Sequence, residues 1–148
     1  MIHCVPRWLS ATYDISGYGL SAFVSFNWLS EQGVIGIAGE HYEVDKHGAF
    51  SGRWSMISNS EEIAIAQKGS PFSRTISLDS RVGPITLKAR SMLGRTMLLF
   101  GSGFDAVIAP NHIFSRRYTI VGSIPNFEVA CFAFWLARML QRRQKNSN

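Results

Sequence analysis

The chain has 148 residues, of which 46% are hydrophobic and 17% are charged. This composition excludes a disordered protein and predicts one globular domain that is long enough to bury a core. The net charge is +5, and most of it comes from Arg138, Arg142, Arg143 and Lys145 near the C-terminal end. Because the rest of the chain is nearly neutral, this count argues against a nucleic-acid-binding surface.

Two cysteines, Cys4 and Cys131, lie far apart in the sequence. We expect both to be buried free thiols, which are typical of a reducing compartment. The first residues lack the apolar stretch of a signal peptide and a lipidation motif. The sequence therefore predicts a cytoplasmic protein.

Residues 1–20 are predicted to be an irregular lead-in or an opening strand, because Gly17 and Gly19 interrupt any regular pattern. Residues 22–122 then read as short strands separated by turn signals, which is typical of a β-barrel or β-sandwich. The candidate strands are Ala22–Leu29, Val34–Ala38, His41–Asp45, Arg53–Ile57, Glu62–Lys68, Arg74–Asp79, Pro84–Arg90, Thr96–Phe100, Ala106–Pro110 and Tyr118–Gly122.

Several of these segments alternate apolar and polar residues. Tyr42 and Val44 alternate with charged neighbours, and Ile85 and Leu87 alternate with Thr86 and Lys88. Such strands have one buried and one solvated face, as in an antiparallel sheet with a single interior. A sheet of this many strands leaves two exposed edges unless it closes.

The segment Ile124–Lys145 is predicted to be a helix, and eleven of the twelve residues from Val129 to Leu140 are apolar. Ser123 or Asn126 can cap it, and Pro125 suits its first turn. A helix with no polar face belongs in a protein core or a bilayer. A bilayer span requires roughly 20 apolar residues, so the core is favoured and a membrane anchor is the alternative.

Together these patterns predict a single domain, residues 1–148, that is mainly β with one buried helix. We expect a closed antiparallel β-barrel of about ten to twelve strands around a C-terminal hydrophobic helix at 124–144. A barrel of this size has a lumen that one helix can fill. A flat sandwich with the helix packed outside is the alternative.

Short strands followed by one apolar C-terminal helix resemble the tubby C-terminal-like superfamily, which includes tubby domains, LURP-one-related proteins and phospholipid scramblases. The strand–turn–strand segments 42–48, 52–56 and 62–68 are similar to its repeat, and Phe132–Leu136 followed by Arg142 and Arg143 is similar to its core helix. The resemblance implies a barrel around a central helix. It also implies phosphoinositide headgroups as the class of ligand.

No catalytic, cofactor or metal-binding pattern occurs in the sequence. The four histidines lack the spacing of metal ligands, the cysteines form no CxxC motif, and no serine lies in a nucleophile elbow. We therefore expect a non-enzymatic binding module without cofactor or metal. A small hydrolase built from scattered polar residues is a rival interpretation.

Basic residues at strand ends and turns are the candidate ligand-binding residues. If some of them converge, they form an anion pocket for a phospholipid headgroup or an acidic protein partner. We therefore expect peripheral contact with a membrane and no binding of nucleic acid. Of Arg116 and Arg117, we expect one to point inward and the other outward. A solvated exterior is the competing interpretation, and a C-terminally anchored protein with a scramblase-like role is a further alternative. The six candidates are Lys68, Arg74, Lys88, Arg90, Arg116 and Arg117.

Overall fold

The protein is a closed antiparallel barrel of twelve strands with one helix, as seen in a computed structural model that describes residues 1–147. Strands follow one another around the barrel in chain order, and β1 pairs with β12 to close it. Closure leaves no sheet edge unpaired. The elements are β1 (Ile2–Pro6), β2 (Thr12–Gly17), β3 (Leu20–Asn27), β4 (Gln32–Ile37), β5 (Glu40–Lys46), β6 (Arg53–Ser58), β7 (Glu61–Lys68), β8 (Thr75–Ser80), β9 (Gly83–Ala89), β10 (Met97–Gly101), β11 (Phe104–Pro110), β12 (Tyr118–Gly122) and α1 (Phe127–Ser147).

The ten predicted strands are confirmed as β3 to β12. Of the two alternatives for residues 1–20, the irregular lead-in is wrong and the opening strand is found, followed by a second strand. This segment forms β1 and β2, whose side chains Ile2, Cys4, Tyr13 and Ile15 point into the core. Of the two glycines that suggested irregularity, Gly17 is the last residue of β2 and Gly19 lies in the turn after it. Tyr18 and Gly19 there have φ angles of 53° and 74°, which suit a tight two-residue hairpin.

The helix begins three residues later than predicted. Asn126 is its N-cap, since its Oδ1 accepts a 2.7 Å hydrogen bond from the Val129 N–H. Pro125 precedes this cap instead of occupying the first turn, and the Ser123 hydroxyl hydrogen-bonds to the Asp105 carbonyl. The helix therefore starts only after the chain has turned from the barrel wall into its lumen.

The barrel lumen is filled by α1, which confirms the core prediction and excludes the flat sandwich. From Val129 to Leu140 every side chain except Arg138 is buried. The Trp135 indole stacks on Phe26 with ring centroids 5.4 Å apart and donates a 3.1 Å hydrogen bond to the Ser25 carbonyl. Within residues 1–147, no helix has the length and apolar character needed to cross a bilayer.

Candidate functional site

The two ends of the barrel have different connections. Two-residue turns join β2 to β3, β4 to β5, β6 to β7, β8 to β9 and β10 to β11, and we call their end the hairpin end. The opposite end, which we call the loop end, has connections of four to seven residues at 7–11, 28–31, 47–52, 69–74, 90–96 and 111–117. Since neighbouring strands are antiparallel, all six loops must lie at the same end.

The helix runs from the hairpin end to the loop end. Near its start, Glu128 accepts a 3.0 Å hydrogen bond from the Tyr42 hydroxyl. Near its finish, the Gln144 amide donates a 2.8 Å hydrogen bond to the Met92 carbonyl in the loop after β9. The basic C-terminal turns of α1 thus emerge among the six loops.

Charge is separated along the barrel axis. Of the 15 lysines and arginines, Arg81 alone lies in a hairpin-end turn, and the others lie in the half of the barrel nearer the loop end or on the emerging helix. Glu31 and Asp45 are the acids of that half, while Asp14 and Glu43 lie near mid-strand. The acids of the hairpin-end half are Glu40, Glu61, Glu62, Asp79, Asp105 and Glu128. One end of the molecule is therefore strongly positive and the other is negative.

Two of the six predicted anion ligands are instead bound to backbone carbonyls. The Lys68 ammonium donates to the Pro71 carbonyl at 2.9 Å, and burial together with the nearby charge of Arg143 lowers the pKa of Lys68. The Arg74 guanidinium donates to the carbonyls of Ser91 and Met92, and burial lowers the pKa of Arg74. Both residues therefore support loops through these hydrogen bonds.

The other four predicted ligands, Lys88, Arg90, Arg116 and Arg117, are exposed. Their side chains make no hydrogen bond or salt bridge to any residue in 1–147. Arg116 lines a cavity beside Arg138 and Gln141 at the end of the helix, and Arg117 does not belong to that cavity. The Arg95 guanidinium, which lines the same cavity, donates to the Ser115 carbonyl at 2.8 Å.

A polar network that the sequence did not reveal surrounds Arg138 where the helix leaves the lumen. The Gln141 carbonyl oxygen accepts 2.7 Å hydrogen bonds from the Arg138 guanidinium and from the Tyr118 hydroxyl. The Arg138 guanidinium also lies 5.1 Å from the Tyr118 ring centroid and 5.6 Å from that of Tyr13. Its Nε is buried and has no hydrogen-bond partner within residues 1–147. The charge that interrupts the apolar helix is thereby held at the mouth of the barrel.

The acid nearest the helix exit is neutralised by two cations. Glu31 forms a salt bridge to Arg143 and a second one to the Lys46 ammonium at 2.5 Å. Hydrogen bonds from Arg143 and Lys46 lower the pKa of Glu31 to about 2. Glu31 therefore stays ionised and fixes the last turns of α1 against the loop after β3.

A cavity of about 730 Å³ lies beside the emerging helix, and we call it the exit cavity. Five basic residues and no acid line it, together with the aromatic rings of Tyr13 and Trp28. Arg116 is the only one of the six predicted ligands that belongs to it. The basic residues of the exit cavity are Arg95, Arg116, Arg138, Arg142 and Lys145.

A cluster of His47, Ser55 and Glu62 on the outer wall resembles a catalytic triad in composition but not in connectivity. His47 Nε2 lies 2.5 Å from the Ser55 hydroxyl, which in turn donates its hydrogen to Glu62. In a nucleophilic triad the histidine stands between the hydroxyl and the carboxylate and removes the hydroxyl proton. Here the serine stands between them and is completely buried, so the cluster supports the wall of β5, β6 and β7.

Both cysteines are buried free thiols, as predicted. Burial raises the pKa of Cys131 to about 12, and burial with the neighbouring Cys131 also raises the pKa of Cys4. Thiols that stay protonated are poor nucleophiles and poor metal ligands. Among the described residues, no group of three or more His, Cys, Asp or Glu side chains is arranged to hold a metal ion.

Comparison with protein-family models, with curated proteins and with solved structures finds no match to this chain. The likeness to the tubby C-terminal-like superfamily therefore remains a prediction from the sequence pattern.

Proposed function

We propose that the protein is a non-enzymatic binding module that recognises anionic phospholipid headgroups through its loop end. The single observation that carries the proposal is the separation of charge, which places nearly every basic residue at one end. Anionic membrane surfaces attract clustered lysines and arginines with about 1 kcal/mol for each residue near the surface. A molecule with this charge distribution turns its loop end toward such a surface.

The exit cavity supports headgroup binding within this basic surface. Its five basic residues surround a space large enough for a phosphorylated headgroup, and no carboxylate competes for them. Arg116 and Lys145 have no hydrogen-bond partner within residues 1–147, so both are available to an anion. Guanidinium groups suit phosphate oxygens because they donate two parallel hydrogen bonds.

The alternative of a C-terminal membrane anchor is not retained. The apolar residues that an anchor would offer to lipid are packed against the inner wall of the barrel. Exposing them would require the barrel to open and lose its core.

Vesicle sedimentation tests the proposal. We expect binding to vesicles of equal parts phosphatidylcholine and phosphatidylserine, weak binding to phosphatidylcholine alone, and a strong dependence on salt. Replacing Arg116, Arg142 and Lys145 together by alanine should lower the affinity by about a hundredfold, at about fivefold for each charge. Arg81→Ala, which removes the one basic residue of a hairpin-end turn, is the matched control and should bind like the wild type.

Equal binding to both vesicle types, or a triple variant that binds like the wild type, would refute the proposal. Replacing Lys88 and Arg117, two basic residues of the loop end outside the exit cavity, by alanine tests whether binding depends on the cavity or on the positive charge of the whole loop end. A loss as large as that of the cavity variant would assign recognition to the whole basic surface, as in binding to an acidic protein.

A further inference from the structure

Each of the six loops at the loop end presents a large apolar side chain to solvent. One residue from each loop defines what we call the apolar tips, and each of them is at least 86% exposed. The turns of the hairpin end are built mainly from Gly, Ala, Ser and Asn, and their large apolar residues Tyr18 and Val82 are less exposed. The apolar tips are Trp8, Leu29, Phe50, Phe72, Leu93 and Phe114.

Three of the six loops that carry these tips are braced by hydrogen bonds from basic side chains. The Arg74 guanidinium binds the Ser91, Met92 and Gly94 carbonyls at 2.7 to 3.0 Å, which encloses Leu93 in a braced loop. Because the backbone of this loop is fixed, the loop cannot fold back onto the barrel and carry Leu93 with it without breaking these bonds.

The same arrangement occurs at two further tips. The Arg95 guanidinium donates to the carbonyls of His112, Ile113 and Ser115, which flank Phe114. The Lys68 ammonium donates to the Pro71 carbonyl, next to Phe72. Three cations of the loop end thus hold apolar side chains outward, and this ordering in advance lowers the entropy cost of docking.

We propose that the apolar tips insert into the surface of an anionic lipid bilayer, so that the protein docks end-on with α1 along the membrane normal. The docking rests on the proposed function and adds to it an orientation and a hydrophobic contribution. Apolar side chains that project beyond a basic surface suit this environment, because the tips reach the acyl boundary while the cations remain among the headgroups. Trp8 in particular suits the interfacial region, where tryptophan is enriched.

The arrangement of the tips favours a bilayer over the other occupants. Successive loops are separated by two strands, or about 10 Å along the rim. The tips therefore form separate points instead of the contiguous apolar centre of a protein interface. A second copy docked end to end would bring two positive surfaces together. The aromatic tips could stack on nucleic-acid bases, but Leu29 and Leu93 have no plane for stacking and suit acyl chains better.

The fluorescence of Trp8 provides the test. Vesicles of equal parts phosphatidylcholine and phosphatidylserine, with bromine atoms at shallow acyl positions, should quench and blue-shift its emission. Trp8→Phe should remove this signal, which separates it from that of the half-buried Trp28. Tyr18→Trp in the Trp8→Phe background places a reporter at the hairpin end, where no quenching is expected.

A second measurement uses affinity. Replacing Phe50, Phe72 and Phe114 together by serine should weaken vesicle binding by about a hundredfold or more, since each substitution removes several carbons that would be buried in the bilayer. Its thermal melt should match the wild type because these side chains make little contact with the core. The control variant Tyr18→Ser should bind normally.

The outcomes separate the insertion from the proposed headgroup binding. Binding to anionic vesicles without Trp8 quenching, and with the triple serine variant unaffected, overturns the insertion and leaves the headgroup function standing. Absence of vesicle binding by the wild type overturns both. Quenching of the hairpin-end reporter overturns the end-on orientation. If single-stranded DNA binds as tightly as the anionic vesicles and the serine substitutions do not weaken that binding, the surface is assigned to nucleic acid.

Discussion

Replacing Gly33 by alanine should destabilise the barrel because this glycine of β4 packs directly against Trp135 of the helix. A Cβ atom at position 33 would lie 2.5 Å from Nε1 of Trp135 and would overlap the Ser25 carbonyl oxygen of the neighbouring strand. Neither neighbour can move cheaply. The carbonyl belongs to the backbone of β3, and the indole is stacked on Phe26 inside the lumen.

The cost combines two contributions. Overpacking of a well-filled core typically costs about 1 to 3 kcal/mol. Displacement of Trp135 also removes its hydrogen bond to the Ser25 carbonyl, which contributes about 1 kcal/mol. A total of about 3 kcal/mol corresponds to a fall in melting temperature of about 6 to 12 °C for a chain of this size.

Thermal and urea denaturation, followed by circular dichroism, measure this effect. Gly36→Ala is the matched control in the same strand, because the three atoms nearest to its Cβ would all belong to the ring of Phe23, a half-buried side chain that can rotate away. In a Trp135→Phe background, Gly33→Ala should cost less, since the smaller ring leaves more room. The reasoning is refuted if Gly33→Ala melts within about 2 °C of the wild type, or if both glycine variants lose equal stability.

Two further predictions concern titratable groups. Hydrogen bonds lower the pKa of Glu31 from 4.5 to about 2, so its contribution to stability should be complete above pH 4.5 and should disappear as the pH falls toward 2. The difference in unfolding free energy between the wild type and Glu31→Gln should therefore shrink between pH 4.5 and pH 2. A difference that does not change with pH would contradict the salt bridges assigned to Glu31. Cys4 and Cys131 should not react with a thiol reagent at neutral pH in the native protein, because both are buried and their pKa values are raised. Both should react fully in denaturant. Rapid labelling of the folded protein would show instead that the lumen is accessible to the reagent.

The periodicity of the sequence was sufficient to predict most of the fold. Alternation identified ten strands, and the lack of a polar face placed α1 in a core. The same alternation was present in Ile2, Cys4, Tyr13 and Ile15, but Gly17 and Gly19 obscured it. Glycine in a two-residue hairpin and glycine in an irregular segment look alike in a sequence, because both use its conformational freedom.

The candidate site was predicted only in part because charge was counted along the chain instead of along the barrel axis. In an antiparallel barrel, every second connection lies at the same end, so residues distant in sequence converge there. Loop length was the available signal, since two-residue turns alternate with longer loops. The partners of Lys68 and Arg74 could not be predicted, because a sequence does not distinguish a free cation from one bound to loop carbonyls.

The position of α1 after all twelve strands has a consequence for synthesis. As the chain leaves the ribosome, each hairpin can form in turn, but the cylinder they build stays hollow until the final segment arrives. Its inward residues have no helix to pack against during that interval, and the second edge of β1, whose first edge is paired with β2, stays open until β12 is made. We therefore expect released chains truncated before Phe127 to be protease-sensitive and to bind chaperones, and released chains that extend past Leu140 to be protease-resistant.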